Sequence, residues 1–199
     1  MKEIYLVRHG DTDATERGYY AGWMDIPLSA GGRARILRVR EMLPRDGFRK
    51  VLVSPLKRTL ETARIVVEDA PLEICEELKE RSFGSWEGRG WKEIEENFPE
   101  EMAAWRRDPL RFTPPGGESF EVVLARVVSF WERLRLEPEG RYLLVTHGGV
   151  IRSLLVHLLR LDFASTFHIL LDPGVVVKIR EENGFSQLVH IVNVEGGEG

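Results

Sequence analysis

Cysteine is nearly absent from this chain, which has one, Cys75, among its 199 residues. A single cysteine excludes an intrachain disulfide and a metal site built from several thiolates. Long apolar runs are also absent, since no stretch approaches the ~18 residues that a membrane-spanning helix needs, and the first residues show no secretion signal. We therefore expect a cytoplasmic protein that does not enter membranes.

A large excess of either charge is missing as well. The chain has 28 Lys and Arg residues against 32 Asp and Glu residues, a formal net charge of −4. This balance gives no general attraction to nucleic acids or anionic membranes, so we expect neither as a partner. With 43% hydrophobic and 30% charged residues, the chain is typical of a folded domain rather than a disordered or fibrous protein.

Short apolar runs that alternate with helical patterns indicate the fold class. Residues 4–7, 51–53 and 142–145 are typical of buried strands. The pattern predicts helices at 30–43, capped by Ser29, and at about 55–67, with Ser54 as N-cap and Pro55 at the first position. It also predicts helices at 120–134, which Ser119 or Glu118 begins, and at 148–159. The alternation predicts a three-layer α/β/α sandwich with a mostly parallel central sheet.

Weaker patterns fill the rest of the chain. Further strands are expected at 72–75, 167–171, 175–179 and 188–192, with a hairpin turn at Asn183-Gly184 that makes one edge of the sheet antiparallel. Residues 9–28 are predicted to form a long loop, and a loop of that length is usually functional. We expect the tail at 195–199 to be frayed. A small helical cap, amphipathic at 92–98 and 102–106, is expected as an insertion at about 78–118 within one domain of residues 1–199.

Three strand ends carry the polar residues that chemistry would use. The first buried strand ends in Arg8-His9, the second is followed by Arg58, and the third ends in His147. Ligands in open α/β sheets bind beyond the carboxyl ends of the strands, so these side chains are expected to converge there. The inserted segment adds Glu80 as a candidate carboxylate.

This set of residue types favours a phosphoryl group. Converging guanidinium groups repel one another unless an anion lies between them, and their fork geometry matches phosphate oxygens. The helix that begins at Gly148 would add backbone N–H donors. An imidazole among such cations is expected to have a lowered pKa, which makes a phosphohistidine intermediate reasonable. Glu80 could protonate the leaving oxygen and then activate water, with Glu87 as its rival for that role.

The chain resembles the histidine phosphatase superfamily, also called phosphoglycerate mutase-like. Motifs in the family's order carry the resemblance: residues 6–12 (Leu-Val-Arg-His-Gly-Asp-Thr), 22–29, 54–63, 78–88, 115–120 and 145–152. The resemblance implies a phosphoglycerate mutase-like fold, with His9 as the nucleophile and Glu80 as the proton donor. It further implies that Arg8, Arg58 and His147 bind the phosphoryl group, and that no metal or other cofactor takes part.

Two departures from the family pattern lie in the first loop. Ala14-Thr15 stands where relatives usually carry Trp-Asn, so Thr15 is the candidate for the phosphate contact that the Asn makes, and its hydroxyl offers one hydrogen. Asp11 is shorter than the Glu that usually follows the first motif. Nearby, Tyr20 and Gly22 are candidate substrate-binding residues, together with Gly148 after the last motif.

The resemblance leaves several functions open. The main expectation is hydrolysis of a small-molecule phosphomonoester, because the short middle segment indicates that the chain lacks the closing segment of mutases. A phosphoglycerate mutase and a non-catalytic phosphate-binding relative are the alternatives. Residues 18–22 and 105–120 are similar to α-ribazole phosphatases of cobalamin synthesis. The assembly state is open, with a homodimer as one candidate.

Overall fold

The computed structural model describes residues 1–45 and 47–194, and the tail predicted to be frayed lies outside them. Its strands are Lys2–Arg8 (β1), Phe48–Val53 (β2), Leu72–Ile74 (β3), Gly140–Thr146 (β4), Val176–Glu182 (β5) and Phe185–Val192 (β6). They form one sheet in the order β3-β2-β4-β1-β5-β6. Neighbours from β3 to β1 run parallel, whereas β5 runs antiparallel to both β1 and β6. The predicted mostly parallel sheet with an antiparallel edge is confirmed.

Helices cover both faces of this sheet. They are Asp13–Arg17 (α1), Ala30–Met42 (α2), Lys57–Val67 (α3), Trp91–Asn97 (α4), Pro99–Arg107 (α5), Phe120–Leu136 (α6) and Gly148–Leu159 (α7). One face packs against α2 and α3, and the other packs against α6 and α7. The predicted three-layer α/β/α sandwich is therefore confirmed.

The continuous apolar run of β1 follows from this layering. Ile4 and Leu6 pack in the cluster with α6 and α7, while Tyr5 and Val7 pack in the cluster with α2 and α3. All of these side chains are buried. Successive strand residues point to opposite faces, so a strand covered on both sides must be apolar at every position.

Serine caps begin two of the main helices where the sequence predicts them. The Ser29 hydroxyl accepts a hydrogen bond from the Gly32 N–H at 3.0 Å, and the Ser119 hydroxyl accepts one from the Val122 N–H at 3.2 Å. Each bond satisfies an N–H that has no partner within the helix. The cap on α6 fixes the point where the chain returns from the 78–118 segment to the sheet.

The start of α3 differs from the prediction, which placed Ser54 as the N-cap and Pro55 at the first helical position. The helix begins at Lys57, and its N-cap Leu56 has no side-chain capping bond. The Asp25 carboxylate instead accepts from the Lys57 N–H at 2.7 Å. The Ser54 hydroxyl is free for a different contact because a distant residue satisfies the helix end.

The loop predicted at 9–28 contains the short helix α1. Thr12 and Thr15 cap it reciprocally, with Thr12 N–H donating to Thr15 Oγ1 at 2.9 Å and Thr15 N–H donating to Thr12 Oγ1 at 3.3 Å. A capping box normally has Glu or Gln at its last position, so Thr15 concealed this helix from the sequence pattern.

The strand predicted at 167–171 is wrong, because Ala164–His168 is a 3₁₀ helix and no strand follows it before β5. Local polar bonds favour the turn: Ser165 N–H donates to the Asp162 carboxylate at 3.2 Å, and Thr166 Oγ1 donates to the Phe163 carbonyl at 2.6 Å. Such short-range bonds compete with extended structure. The hairpin turn at Asn183-Gly184 is confirmed between β5 and β6.

Helices α4 and α5 lie in the segment predicted to be a cap, and they occupy the two amphipathic stretches. They build a third apolar cluster around Trp86, Ile94 and Met102, and partly buried aromatic rings pack against it: Tyr20, Phe83, Trp91, Phe98, Trp105 and Phe112. This cluster is separate from the two clusters of the sheet. Among the described residues, no helix combines the length and apolar character that crossing a bilayer requires.

Candidate active site

A cavity of about 230 Å³ lies at the carboxyl end of β1, beside the N-terminus of α7. The sequence-predicted residues in its wall are Arg8, His9, Thr15, Tyr20, Gly22, Arg58, Glu80 and Gly148. A larger groove of about 880 Å³ adjoins it and shares Arg8, Thr15 and Tyr20 with it. The structure thus brings together residues that follow three strands, the first loop and the inserted segment. His147, which was also expected here, is fully buried and does not itself line the cavity.

His9 follows β1 directly and is 5% exposed. It is buried in the cavity wall rather than exposed in the long loop predicted at 9–28. Its Nδ1 lies 2.7 Å from the Gly10 carbonyl oxygen. A carbonyl only accepts hydrogen bonds, so Nδ1 carries the proton of the neutral ring and Nε2 keeps its lone pair.

The environment of His9 disfavours its charged form. Burial lowers the pKa of His9 well below its usual value, and the Arg58 and Arg8 charges lower that pKa further. The bond to the Gly10 carbonyl acts in the opposite direction and is outweighed. The lowered pKa predicted from the sequence is confirmed, and His9 is a neutral base at neutral pH.

Arg8 and Arg58 place two guanidinium groups at the cavity. Arg58 is 1% exposed and donates to the Gly22 carbonyl at 2.7 Å and to the Met24 carbonyl at 2.8 Å. Arg8 donates to the Leu171 carbonyl. The Nε–H groups of both arginines are buried without a partner among the described residues. A fully buried and a half-buried cation, each with an unused donor, form a site for an anion.

Burial disfavours the charged form of both guanidinium groups. It lowers the pKa of Arg58 to about 10, against the opposing effect of the Glu80 carboxylate. Burial also lowers the pKa of Arg8. An anion bound between the two groups would offset this desolvation, so both remain charged when the site is filled.

His147 follows β4 and is the N-cap residue of α7. It is fully buried, and its ring centroid lies 5.2 Å from that of His9 in an edge-on arrangement. Its Nε2 lies 2.7 Å from Ser54 Oγ. Burial lowers the pKa of His147 well below its usual value, with Arg58 the next cause.

The N-terminus of α7 holds the carboxylate of Glu80. The Glu80 Oε2 atom accepts a hydrogen bond from the Gly149 N–H at 3.2 Å, and its Oε1 atom accepts from the Arg81 N–H at 2.8 Å. The Glu80 carbonyl accepts from Trp23 Nε1 at 2.7 Å. Both ends of this residue are therefore fixed, and its carboxylate faces the same cavity as His9.

Glu87, the rival carboxylate, has a different environment. Its Oε1 atom accepts from the Trp23 N–H at 2.9 Å and from the Phe83 N–H at 3.1 Å. It does not lie in the cavity wall. Glu87 ties the first loop to the inserted segment, which leaves Glu80 as the carboxylate beside the histidines.

Three candidate substrate-binding residues have partners within the protein. The Thr15 hydroxyl donates its single hydrogen to the Thr12 carbonyl at 3.0 Å, so it is engaged in capping α1. The Tyr20 ring packs against Phe83 with centroids 4.6 Å apart. The Gly22 carbonyl holds Arg58. Thr15 and Tyr20 line the cavity, but the Thr15 hydroxyl has already used its hydrogen within α1.

Sequence reasoning missed two residues of this region. Ser54 was assigned to a helix cap, and only the adjacency of β2 and β4 reveals its contact with His147. Arg152 also lines the cavity, where its guanidinium donates to the Thr166 carbonyl and lies 4.8 Å from the Phe167 ring centroid. Its position four residues after Gly148, on one face of α7, is a signal that could have identified it.

The positive charge of the site comes from arginine side chains and a helix N-terminus. Within residues 1–45 and 47–194, no group of three or more His, Cys, Asp or Glu side chains is placed to hold a metal ion. A neutral imidazole with a free lone pair, two cations for phosphoryl oxygens and a carboxylate in the same cavity wall together suit transfer of a phosphoryl group to nitrogen.

Comparisons with known proteins agree with this chemistry. The model of the histidine phosphatase superfamily (branch 1) matches residues 4–194. The chain is 36% identical over 188 residues to the adenosylcobalamin/alpha-ribazole phosphatase of Salmonella typhimurium, with 93% of each chain covered. The solved alpha-ribazole phosphatase of Shigella flexneri superposes with a TM-score of 0.88 and 32% identity, over 99% of both chains.

A relative with a different activity also matches. The chain is 31% identical to the 2,3-bisphosphoglycerate-dependent phosphoglycerate mutase of Cytophaga hutchinsonii, and the match covers 87% of this chain and 85% of that protein. We expected a clear difference in length from mutases. A match this complete means that length alone does not separate hydrolysis from mutase activity.

Proposed function

Because the chain belongs to the histidine phosphatase superfamily (branch 1), we propose that it hydrolyses a small-molecule phosphomonoester through a phosphohistidine on His9. The observation that carries the proposal is the state of the His9 ring. Its Nδ1 is bound to the Gly10 carbonyl, and its Nε2 lone pair belongs to a buried, neutral base between Arg8 and Arg58.

In the first step, His9 Nε2 attacks phosphorus and the bond from phosphorus to the leaving oxygen breaks. Arg8, Arg58 and His147 bind the phosphoryl oxygens, together with the Gly148 N–H at the start of α7. Glu80, in its protonated form, gives its proton to the leaving oxygen, which departs as an alcohol. The product of this step is phosphohistidine and a Glu80 carboxylate.

In the second step, water attacks the phosphohistidine. Glu80, now a carboxylate, takes a proton from that water, and the bond between phosphorus and His9 Nε2 breaks. Inorganic phosphate leaves, and His9 and Glu80 return to their starting states. The hydrogen bond between Glu80 and Gly149 keeps the carboxylate at the phosphoryl site for both steps.

We further propose α-ribazole 5′-phosphate as the substrate. Two relatives that cover nearly the whole chain are named as phosphatases of α-ribazole compounds, and residues 18–22 and 105–120 resemble that group. The aromatic wall of the cavity, with Tyr20, Phe83 and Phe120, suits a leaving group with a flat ring.

The proposal extends to the organisation of the chain. The segment at about 78–118 acts as a cap on one histidine phosphatase domain of residues 1–199, and the leaving group binds between that cap and the first loop. The enzyme works in the cytoplasm. A homodimer is one candidate for its assembly, and light scattering of the purified protein tests it.

The proposed function is tested by phosphate release from a panel of phosphomonoesters. The panel contains α-ribazole 5′-phosphate, phosphoserine, 3-phosphoglycerate and sugar phosphates, each with excess chelator present. We expect hydrolysis without added metal, and the highest kcat/KM on α-ribazole 5′-phosphate. A requirement for a divalent ion would contradict the mechanism, and a different preferred ester would contradict the substrate.

The same protein is assayed for interconversion of 2- and 3-phosphoglycerate with a bisphosphate primer. The proposal predicts hydrolysis with no measurable mutase flux. Interconversion that outpaces hydrolysis would establish the alternative shared with the Cytophaga relative, and no turnover of any ester would establish a non-catalytic phosphate-binding protein.

A further inference from the structure

The contact between Ser54 and His147 has no part in the steps above. Ser54 follows β2 directly, and the side chains of Ser54 and His147 are both fully buried. Ser54 Oγ and His147 Nε2 are 2.7 Å apart. A hydrogen bond of this length between two buried groups fixes the rotation of the imidazole ring as well as its distance from the site.

The backbone N–H and carbonyl of Ser54 both have other partners, so its hydroxyl is the group that contacts His147. Its N–H donates to the Val145 carbonyl at 3.1 Å in the sheet. Its carbonyl accepts from Thr59 Oγ1 at 2.9 Å. The hydroxyl does not cap α3, which begins three residues later. Its contact with the His147 ring is the bond that distinguishes a serine from an alanine at this position.

The geometry points to Ser54 as a positioning residue that holds His147 with its proton on Nδ1, so that Nδ1–H donates to a phosphoryl oxygen. This inference rests on the proposed function, since it concerns the same phosphoryl site. His147 Nδ1 has no hydrogen-bond partner among the described residues although the ring is fully buried. It is the nitrogen left for the ligand.

The assignment of the proton follows from counting donors. A neutral imidazole has one N–H, and burial with the nearby arginines keeps His147 neutral. Phosphoryl oxygens accept hydrogen bonds, so the nitrogen that faces them must carry the hydrogen. The other nitrogen, Nε2, must then accept. The Ser54 hydroxyl is the partner that can supply this hydrogen, and a carbonyl in its place would select the opposite tautomer.

The two histidines then share one tautomer and use opposite nitrogens. The Gly10 carbonyl accepts from His9 Nδ1, which leaves the Nε2 lone pair for phosphorus. The Ser54 hydroxyl donates to His147 Nε2, which leaves the Nδ1 hydrogen for oxygen. A change at Ser54 therefore alters the donor while the nucleophile keeps its own partner.

The test compares Ser54→Ala with Ser54→Thr, which retains the hydroxyl, and with the control Ser153→Ala. Ser153 is also buried, and its hydroxyl donates to the Gly149 carbonyl at 2.9 Å without touching a histidine. The three variants thus separate loss of the particular hydroxyl at Ser54 from loss of any buried hydroxyl near the site. Thermal unfolding of each variant confirms that it is folded.

The first readout is the nitrogen NMR spectrum of histidine in the whole protein without substrate. We expect His147 in the wild type to show a protonated Nδ1 and an unprotonated Nε2. In Ser54→Ala we expect a mixture of the two tautomers, with His9 unchanged. A wild-type His147 protonated at Nε2, or an unchanged tautomer in Ser54→Ala, would overturn the inference.

The second readout is the binding of inorganic phosphate, measured by calorimetry at neutral pH. Losing the bond at Nε2 is expected to weaken phosphate binding about 10- to 100-fold in Ser54→Ala, whereas Ser54→Thr and Ser153→Ala remain near the wild type. Equal losses in Ser54→Ala and Ser153→Ala would overturn the inference. The Ser54→Ala result is decisive even where the additional methyl of threonine does not fit.

Neither readout depends on turnover, so the inference and the proposed function fail separately. A protein that binds phosphate with the expected tautomer but hydrolyses no ester would contradict the proposed function alone. A protein that hydrolyses esters normally while Ser54→Ala leaves the His147 tautomer unchanged would contradict the inference alone.

Discussion

The turn after β1 and the turn after β4 look alike in sequence and differ in chemistry. Each places a histidine before a glycine at the end of a buried strand, and the two strands are neighbours in register at Arg8 and Thr146. The two rings lie 5.2 Å apart. The partner of each ring nitrogen makes the difference: a carbonyl at His9 and a hydroxyl at His147. The neighbour of an imidazole thus decides which of its nitrogens is available.

The glycines of the two turns are needed for different reasons. A Cβ on Gly10 would lie 2.7 Å from the Gly32 carbonyl oxygen, so the first glycine allows α2 to approach the strand end. A Cβ on Gly149 would lie 2.3 Å from Glu80 Oε1, so the second turn leaves room for the carboxylate. The first glycine therefore allows close packing, and the second makes room for the Glu80 carboxylate.

Among the substitutions that distinguish the two turns, His9→Ala is expected to have the largest effect. Losing the nucleophile should lower kcat by about 10³-fold or more, because His9 is the one histidine among the described residues of the cavity wall. Phosphate binding should persist, since Arg8, Arg58 and His147 remain. Steady-state kinetics and calorimetry measure the two quantities. Retention of more than about a tenth of the wild-type rate would show that the covalent mechanism is wrong.

Glu80→Gln tests proton transfer by the carboxylate that the start of α7 holds. The rate on an alkyl phosphate should fall by about 10²–10⁴-fold, because an alkoxide leaves poorly without a proton. The rate on p-nitrophenyl phosphate should fall clearly less, since a phenolate needs that proton less. Comparing kcat on the two esters measures this dependence on the leaving group.

Glu87→Gln is the matched control for the acid. Glu87 accepts backbone N–H bonds from Trp23 and Phe83, so its loss should lower stability or substrate affinity equally for both esters. If the loss of rate depended on the leaving group in Glu87→Gln and not in Glu80→Gln, Glu87 would be the acid. The family of the protein would not be in question.

His147→Ala should have a smaller effect than His9→Ala, and a different one. The loss of a donor to the phosphoryl group is expected to cost about 10²-fold in kcat/KM, with weaker phosphate binding and with turnover still measurable. His9→Ala shows the reverse pattern, in which binding persists without turnover. The same kinetic and calorimetric measurements apply, and complete loss of turnover with intact phosphate binding in His147→Ala would contradict the division of roles.

The smallest expected effect is on acid stability. Both histidines have a folded-state pKa well below the usual value of 6.5, so below pH 6.5 the unfolded chain binds more protons than the folded chain. Stability is therefore lost as the pH falls through about 6.5 toward the folded pKa. His147→Gln removes one of these groups and should flatten the loss. Denaturant midpoints from about pH 7.5 to 5 measure it, and identical slopes in the two proteins would contradict the buried neutral state of His147.

The sequence predicted the layers of the fold because they depend on local patterns. The apolar run in β1 and the serine caps of α2 and α6 are determined by residues close in the chain, and the structure has them as expected. Predictions were wrong where local polar bonds or distant partners decide the conformation. The Thr12–Thr15 box made a helix in a predicted loop, and Asp25 capped α3 from outside.

Site residues that belong to the sequence motifs could be predicted. Contacts that depend on which strands are neighbours in the sheet could not. Arg8, His9, Arg58 and Glu80 meet in one cavity as expected. The contact between Ser54 and His147 depends on β2 lying beside β4, an order that periodicity along the chain does not contain. The capping role of the Thr15 hydroxyl, like α1 itself, could not be predicted because a capping box normally has Glu or Gln at this position.

The most direct test of the account is to trap the phosphorylated enzyme. Wild-type protein is mixed rapidly with a phosphomonoester, quenched under conditions that preserve phosphohistidine, digested and examined by mass spectrometry, with His147→Ala treated in the same way. The proposed mechanism predicts a phosphoryl group on the His9 peptide, attached at Nε2, in both proteins. A phosphoryl group on His147, or turnover in the wild type without any phosphohistidine, would contradict it.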